Sequence, residues 1–156
     1  MYLNELQKKV FSINCTTSSC HSADRAAGNL VLAEGLSYTQ VVDVSPDNLA
    51  AKSAGLVRVK KGSTDLSFLW RKLTNQLTSD EGTLMPQAGV VLDPAQLDLA
   101  KRWIEGGALC QPLDCATLKK NCGTPDNGCG TPLSSCGTCS GADTCGGGGV
   151  DFVCGQ

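Results

Sequence analysis

The stretch CTTSSCH, residues 15–21, decides how the whole chain is interpreted. A cysteine pair that ends in Cys-His is the attachment signature of c-type haem: each thiol adds to a porphyrin vinyl group, and the histidine lies under the iron. The spacer usually has two residues, whereas four residues separate Cys15 from Cys20, so Thr16–Ser19 has to bulge outward. The motif predicts one covalently bound haem c per chain, with Cys15 and Cys20 as thioether anchors and His21 as an axial iron ligand.

The same three residues have a second interpretation. A disulfide between Cys15 and Cys20 would close a small loop beside a surface histidine, and an oxidising compartment favours such a bond. The lengthened spacer and the cysteine-rich C-terminal sequence both strengthen this alternative. It leads to a haem-free extracellular module with a binding or structural role.

Composition and charge exclude several classes of protein. The formal net charge of -2 gives no general attraction for nucleic acid or for an anionic membrane. No apolar run approaches the roughly 18 residues of a membrane-spanning helix, so we expect no membrane span. His21 is the only histidine, which excludes sites that need two histidines in one chain. The first 14 residues are charged and lack an apolar leader core, so we expect an export leader to have been removed or left out of this numbering.

The other cysteines divide the chain into two units, because none lies between Cys20 and Cys110. They are Cys110, Cys115, Cys122, Cys129, Cys136, Cys139, Cys145 and Cys154. The surrounding sequence is rich in glycine and has few large apolar side chains, so we expect four structural disulfides of open pairing to stabilise it. We predict a helical haem domain at 1–108, and at 109–156 a small disulfide-rich module of turns and short strands. Disulfides of this density indicate an exported protein that is periplasmic, extracellular or on the cell surface.

The CGTC stretch at Cys136–Cys139 has two other interpretations, a zinc half-site and a redox pair. A zinc ribbon needs a second CxxC, which the sequence lacks. A thioredoxin-like pair needs a strand before it and a helix after it. Structural disulfides are therefore the favoured interpretation.

Periodicity predicts a mainly α first unit with three helices. Residues 2–12 have apolar positions at helical spacing. Thr64 and Asp65 are candidate N-caps for a second helix. Asp93 is predicted to cap a last helix, which Gly106-Gly107 ends. The connections between them at 28–44 and 75–92 are predicted to be loop or irregular, and six aromatic residues are few for a core of this length, which suggests that an apolar cofactor fills it.

Four further motifs follow CTTSSCH in order along the first two thirds of the chain. They are GNLVL at 28–32, SFLWRKL at 67–73, Met85-Pro86, and WIEGGA at 103–108. Together they resemble the monohaem cytochromes c of the bacterial class with a CxxxxCH attachment site. The resemblance implies a helical cytochrome c fold in which His21 and Met85 are the axial ligands and Phe11 packs against Trp103 of the terminal helix.

Met85 is also indicated by elimination. A low-spin electron-transfer haem needs a sixth ligand, there is no second histidine, and the other methionine is at the chain terminus. Ligation by lysine, an open sixth position, and a core-filling role for Met85 remain as alternatives. Arg25, Arg71 and Lys72 are candidate partners of the haem propionates, although solvated surface charge is the simpler interpretation.

These observations predict an exported monohaem c-type cytochrome that carries single electrons, and not an enzyme. Its partners would be redox proteins or other copies of itself. A second hypothesis gives the cysteine-rich module a structural role, in which it joins protomers into an oligomer or filament or attaches them to a surface. A peroxidase-like or sensor haem would require an open or labile sixth position.

Overall fold

The chain divides after Gln111 in the computed structural model, which describes residues 1–17, 20–87 and 89–156. The first compact unit is Met1–Gln111 and the second is Pro112–Gln156. The predicted boundary lay three residues earlier, at residue 108. The reason for the difference is that the carbonyl of Leu109 accepts hydrogen bonds from Leu3 N at 2.9 Å and from Trp103 Nε1 at 3.0 Å, which ties this strand-like segment to the first unit.

The N-terminal helix leads directly into the cysteine motif. It begins as α1, Leu3–Leu6, and continues as a π-helical segment, Gln7–Cys15, so it extends three residues beyond the predicted 2–12. Its apolar face buries Leu6, Val10 and Phe11 completely. This burial stabilises the π-helical conformation of the backbone as far as Cys15.

The last helix of the first unit, α5, spans Pro94–Glu105 and confirms the predicted cap. Asp93 accepts a hydrogen bond from Gln96 N at 2.8 Å, and the Gln96 side chain in turn accepts one from Asp93 N at 3.1 Å. This capping box satisfies two otherwise unpaired N–H groups. Trp103 and Ile104 are fully buried, and α5 packs against α1.

Helix α4, Phe68–Thr74, begins later than predicted, so the assignment of Thr64 or Asp65 as its N-cap is wrong. The carbonyl of Thr64 instead accepts a hydrogen bond from Ser67 N at 3.0 Å, which closes a turn. The Ser67 hydroxyl donates to the carbonyl of Ser63 at 2.6 Å and accepts from Lys60 N at 2.8 Å. The backbone before α4 is therefore held by hydrogen bonds within residues 60–67 instead of a side-chain cap.

Two short helices were not predicted: α2, Ser37–Val41, and α3, Leu49–Ser53. Single 3-10 turns lie at Ala27–Asn29 and Ser79–Glu81, inside the connections predicted to be irregular. Helices of five residues are not stable by themselves, and packing decides whether they form.

One hydrophobic cluster forms the centre of the first unit. Its buried members are Leu3, Leu6, Val10, Phe11, Cys15, Leu32, Val41, Val59, Leu73, Leu92, Ala100, Trp103, Ile104 and Ala108. Phe11 and Trp103, the pair expected to meet, both lie in it and are fully buried. Leu30, Leu69 and Trp70 pack against it while remaining partly exposed.

The second unit has little regular structure. Strand β1, Thr144–Cys145, pairs antiparallel with β2, Cys154–Gly155. The eight cysteines from Cys110 to Cys154 are all disulfide-bonded, which confirms the predicted disulfides. Three pairings are Cys115–Cys136, Cys122–Cys145 and Cys139–Cys154.

The disulfides indicate an oxidising, exported environment. None of the helices in the described ranges is long and apolar enough to cross a bilayer.

Candidate functional site

Cys15 lies at the end of the π-helical segment and belongs to the hydrophobic cluster. Burial, with a smaller contribution from the charge of Cys20, raises the pKa of the Cys15 thiol to about 12. Cys15 is present as a thiol, so the disulfide with Cys20 that the haem-free alternative needs is not formed in this structure. A buried sulfur at this position can be part of an apolar cofactor site.

The chain turns back on itself after Cys15. Cys20 N donates to the carbonyl of Thr17 at 3.0 Å, and His21 N donates to the carbonyl of Cys15 at 3.0 Å. The Thr17 hydroxyl also lies 3.4 Å from the sulfur of Cys20. The tip of the predicted bulge, residues 18 and 19, lies outside the described residues. The loop thus brings Cys15, Cys20 and His21 together around one closed turn.

The imidazole of His21 is oriented by a backbone carbonyl. Its Nδ1 lies 3.1 Å from the carbonyl oxygen of Leu30, and because a carbonyl only accepts, Nδ1 carries the proton. This tautomer leaves the lone pair of Nε2 free for a metal. Leu32 N donates to the carbonyl of His21 at 2.8 Å, so the GNLVL segment lies alongside the histidine.

Two buried polar side chains hold the GNLVL segment from the other side. Gln7 Nε2 donates to the carbonyl of Leu32 at 2.8 Å. Arg58 Nη2 donates to the carbonyls of Asn29 at 3.1 Å and Gly28 at 3.3 Å. Neither Gln7 nor Arg58 is among the residues predicted from the sequence.

Of these two residues, only Gln7 could have been recognised from a pattern in the sequence. Gln7 follows Leu3 by four residues and precedes Val10 by three, so it interrupts the apolar stripe of the helix. Arg58 stands between Val57 and Val59 in an extended segment, where an arginine points to solvent as readily as to the interior.

Met85 is held by a different part of the fold. Its N–H donates to the carbonyl of Lys72, near the end of α4, at 2.8 Å. Lys72 Nζ donates to the carbonyl of Thr83 at 3.2 Å, so this hydrogen bond attaches the loop before Met85 to α4. Within the described ranges no hydrogen bond joins Met85 to His21; each candidate ligand is fixed by its own segment.

The candidate propionate partners have different surroundings. Arg25 is exposed. Arg71 Nη1 lies 2.8 Å from Glu81 Oε1, and the Glu81 side chain is only 2% exposed, so a role for Arg71 as solvated surface charge is wrong. Burial lowers the pKa of Lys72, and the nearby Glu81 carboxylate opposes this effect. The Lys72 ammonium also lies 5.2 Å from the centre of the Phe68 ring.

The residues of the first unit fit a c-type haem by the chemistry of their donor atoms. Two cysteine sulfurs lie in one turn with an imidazole that bonds to a carbonyl through Nδ1, and a methionine sulfur is held in a separate loop. Next to Cys15, the side-chain Nδ2 of Asn14 is buried without an acceptor among the described residues. A buried donor without an acceptor is costly, and a polar group of a bound molecule would remove that cost.

The cysteines of the second unit form no comparable site. The sulfurs of Cys122, Cys139 and Cys154 lie within 4.8 Å of one another. All three belong to disulfides, so they present no thiolate to a metal. Cys136 is bonded to Cys115, and therefore the CGTC stretch is neither a zinc half-site nor a redox pair here.

The two candidate ligands, their supporting backbone segments and the buried Cys15 are thus the features from which a function can be inferred. No protein-family model matches the chain, and no curated protein and no solved structure matches it significantly.

Proposed function

We propose that the chain is an exported monohaem c-type cytochrome that carries single electrons through a haem held by Cys15, Cys20, His21 and Met85. The observation that carries the proposal is the His21 imidazole, which directly follows the cysteine pair and donates from Nδ1 to the Leu30 carbonyl. This geometry leaves Nε2 as the ligand atom. When bound, the haem supplies one iron that alternates between the ferric and ferrous states.

His21 would hold the haem iron through Nε2. The Leu30 carbonyl, 3.1 Å from Nδ1, holds the ring in one orientation and increases the basicity of Nε2. The backbone bond from Leu32 N to the His21 carbonyl prevents the residue from moving away with its loop. Both contacts keep the ligand in place when the charge on the iron changes.

Cys15 and Cys20 act as covalent anchors on either side of the turn. Cys15 is buried against the same cluster as Phe11 and Leu32, so a group bound to its sulfur enters an apolar environment. Exclusion of water around a redox centre raises its potential by disfavouring the more charged ferric state.

Met85 would hold the same iron through its thioether sulfur. A thioether favours the reduced iron and raises the potential. The hydrogen bond from Met85 N to the Lys72 carbonyl fixes the backbone, which leaves only side-chain torsions to place the sulfur. Coordination that does not change between oxidation states suits an electron carrier better than an enzyme.

The second unit supports a separate structural role. It is a compact unit of its own and is stabilised by disulfides, with two-residue strands and few buried side chains. We propose that it attaches the cytochrome to a surface or joins copies of it in the periplasm or outside the cell. Sedimentation at high concentration that shows only monomers would argue against self-association.

Expression of the full chain with a haem-maturation system tests the haem proposal. Intact mass should increase by one haem, and the reduced-minus-oxidised spectrum should show the Soret and α bands of a c-type haem. The Cys15→Ser/Cys20→Ser variant is the matched control, because it keeps the fold's eight disulfide cysteines and removes only the anchors. Wild-type chain that matures without added mass and without these bands would refute the proposal.

The sixth ligand is tested separately. The oxidised protein should show the sulfur-to-iron charge-transfer band, and Met85→Ala should abolish it. Lys72→Ala should retain the band, since Lys72 contributes to the Met85 loop and not to the iron. Absence of the band from wild-type holoprotein near neutral pH would favour the open-site or lysine alternatives over Met85.

A further inference from the structure

The segment 28–32 is held by side chains along almost its entire length. The carbonyls of Gly28 and Asn29 accept from Arg58, that of Leu30 accepts from His21, and that of Leu32 accepts from Gln7. These donors come from three different parts of the first unit. A segment whose regular structure is limited to the end of one 3-10 turn is thereby fixed at four carbonyl groups.

Arg58 is the most costly of these donors to bury. Its side chain is only 9% exposed, and its closest carboxylate, Asp47, lies 3.5 Å away. The shorter bonds go to neutral carbonyls: Gln40 at 2.9 Å, Asn29 at 3.1 Å and Gly28 at 3.3 Å. A guanidinium that is desolvated and mainly bonded to carbonyls stabilises a backbone geometry and gains little from ion pairing.

The backbone that Arg58 holds is strained. Ala26 and Asn29 have φ values of 39° and 50°, in the left-handed region that residues with side chains avoid, and Gly28 between them has a φ of 62°. Such conformations persist only where surrounding contacts impose them. Loss of Arg58 would remove the two hydrogen bonds to the carbonyls of Gly28 and Asn29 in this turn, and Leu30 is the residue that follows it.

We infer that Arg58 is a positioning residue for the His21 ligand: it fixes the turn at 26–29 and thereby the Leu30 carbonyl that orients the imidazole. The inference rests on the proposed haem function for its redox consequence. Arg58 does not touch the imidazole and acts only through the backbone. Its effect therefore passes through the length and direction of one hydrogen bond, from His21 Nδ1 to Leu30 O.

The expected consequence has a definite sign. A weakened bond at Nδ1 makes the imidazole a poorer donor through Nε2, which disfavours the ferric iron and raises the potential. Groups that orient a metal ligand typically change metal binding by roughly 10- to 100-fold. Arg58 does not contact the histidine itself, so we expect the lower value of this range. That is a change of about tenfold in the ferric-to-ferrous ratio, or about 59 mV for one electron.

The test compares Arg58→Met with Ile104→Val in the full-length holoprotein. Ile104 is fully buried on α5 in the same hydrophobic cluster as Leu32, and its truncation lowers stability without removing any hydrogen bond to segment 28–32, because its side chain has no polar atom. Arg58→Met should raise the potential and speed exchange of the His21 Nδ1 proton in the reduced protein, whereas Ile104→Val should do neither. Equal shifts in both variants, or none in Arg58→Met, would overturn the inference.

Two additions separate the possible failures. Amide exchange at Leu32, which donates to the His21 carbonyl, should accelerate in Arg58→Met even in chain prepared without haem. If the wild-type chain takes up no haem, the proposed function fails while this measurement still shows whether Arg58 holds the segment. If Arg58→Met does not fold, Arg58→Lys decides, because it keeps the charge and loses the forked donor; a wild-type potential and wild-type exchange in that variant would refute the inference.

Discussion

Removal of Arg71 should destabilise the first unit far more than removal of an exposed arginine that has an equally short ion pair. Arg71 Nη1 lies 2.8 Å from Glu81 Oε1, and Thr78 N donates to Glu81 Oε2 at 3.1 Å. The Glu81 side chain is 2% exposed and that of Arg71 is 29% exposed. Arg71→Ala therefore leaves a buried carboxylate whose remaining hydrogen bond, among the described residues, comes from Thr78 N.

The magnitude follows from the burial of the carboxylate. Loss of one partner from a buried ion pair costs about 3–5 kcal/mol, because the other charge stays desolvated. Arg71 is partly exposed and Thr78 N remains bonded, so we expect the low end, about 3 kcal/mol. With an m-value of about 2 kcal/mol per molar urea, the unfolding midpoint should fall by roughly 1.5 M.

Urea unfolding followed by circular dichroism measures this difference in the full chain. The control is Arg102→Ala: Arg102 lies 2.7 Å from Asp98, but both side chains are more than half exposed, so we expect a loss of about 0.3–0.5 kcal/mol. Adding Glu81→Gln to Arg71→Ala should restore part of the stability, since it removes the buried charge. A loss in Arg71→Ala no larger than in Arg102→Ala, or no relief from Glu81→Gln, would refute the reasoning.

Three further outcomes are expected. Asp93→Ala should lower stability by about 1 kcal/mol through loss of the α5 cap, measured by thermal unfolding. In haem-free Cys20→Ser chain, Cys15 should react with iodoacetamide at pH 8 roughly 1000-fold more slowly than in urea, because burial disfavours the thiolate and raises the pKa of Cys15 from 9.0 to about 12; equal rates would contradict this. Replacing Cys122 and Cys145 by serine removes a bond across 23 residues and should destabilise the second unit by about 3 kcal/mol, seen as faster proteolysis there.

The parts of the fold that could be predicted are those encoded locally. Helix α5 has its cap, Pro94, an apolar stripe and a terminal glycine in consecutive sequence, and all of them agree. Helix α4 has two equally good local caps at Thr64 and Asp65, yet it begins at Phe68, because Ser67 bonds to Ser63 and Lys60 instead. Local signals specify an element only when tertiary contacts do not compete with them.

The candidate site likewise combines residues that could be predicted from the sequence with contacts that could not. The residue types Cys15, Cys20 and His21 are visible in the sequence because their spacing is a chemical signature. The Leu30 carbonyl that orients the histidine is invisible, since any residue supplies a carbonyl. The number of disulfides could be predicted because cysteines are visible in the sequence. Their pairing could not, because it depends on a fold that has no strong local signals.

The buried polar side chains of the first unit show where its backbone is fixed by side-chain hydrogen bonds. They are Gln7, Ser37, Arg58, Ser67 and Glu81. Gln7 and Arg58 bond to the segment 28–32, and Ser37 Oγ donates to Gln7 at 2.6 Å. Glu81 caps the turn at residues 78–81 that precedes the Met85 loop. Burial of such groups costs free energy unless each one is bonded, so they are expected where backbone must be fixed without helix or sheet. The first place lies beside His21 and the second precedes Met85, so the buried polar side chains add to the backbone hydrogen bonds that fix both proposed iron ligands.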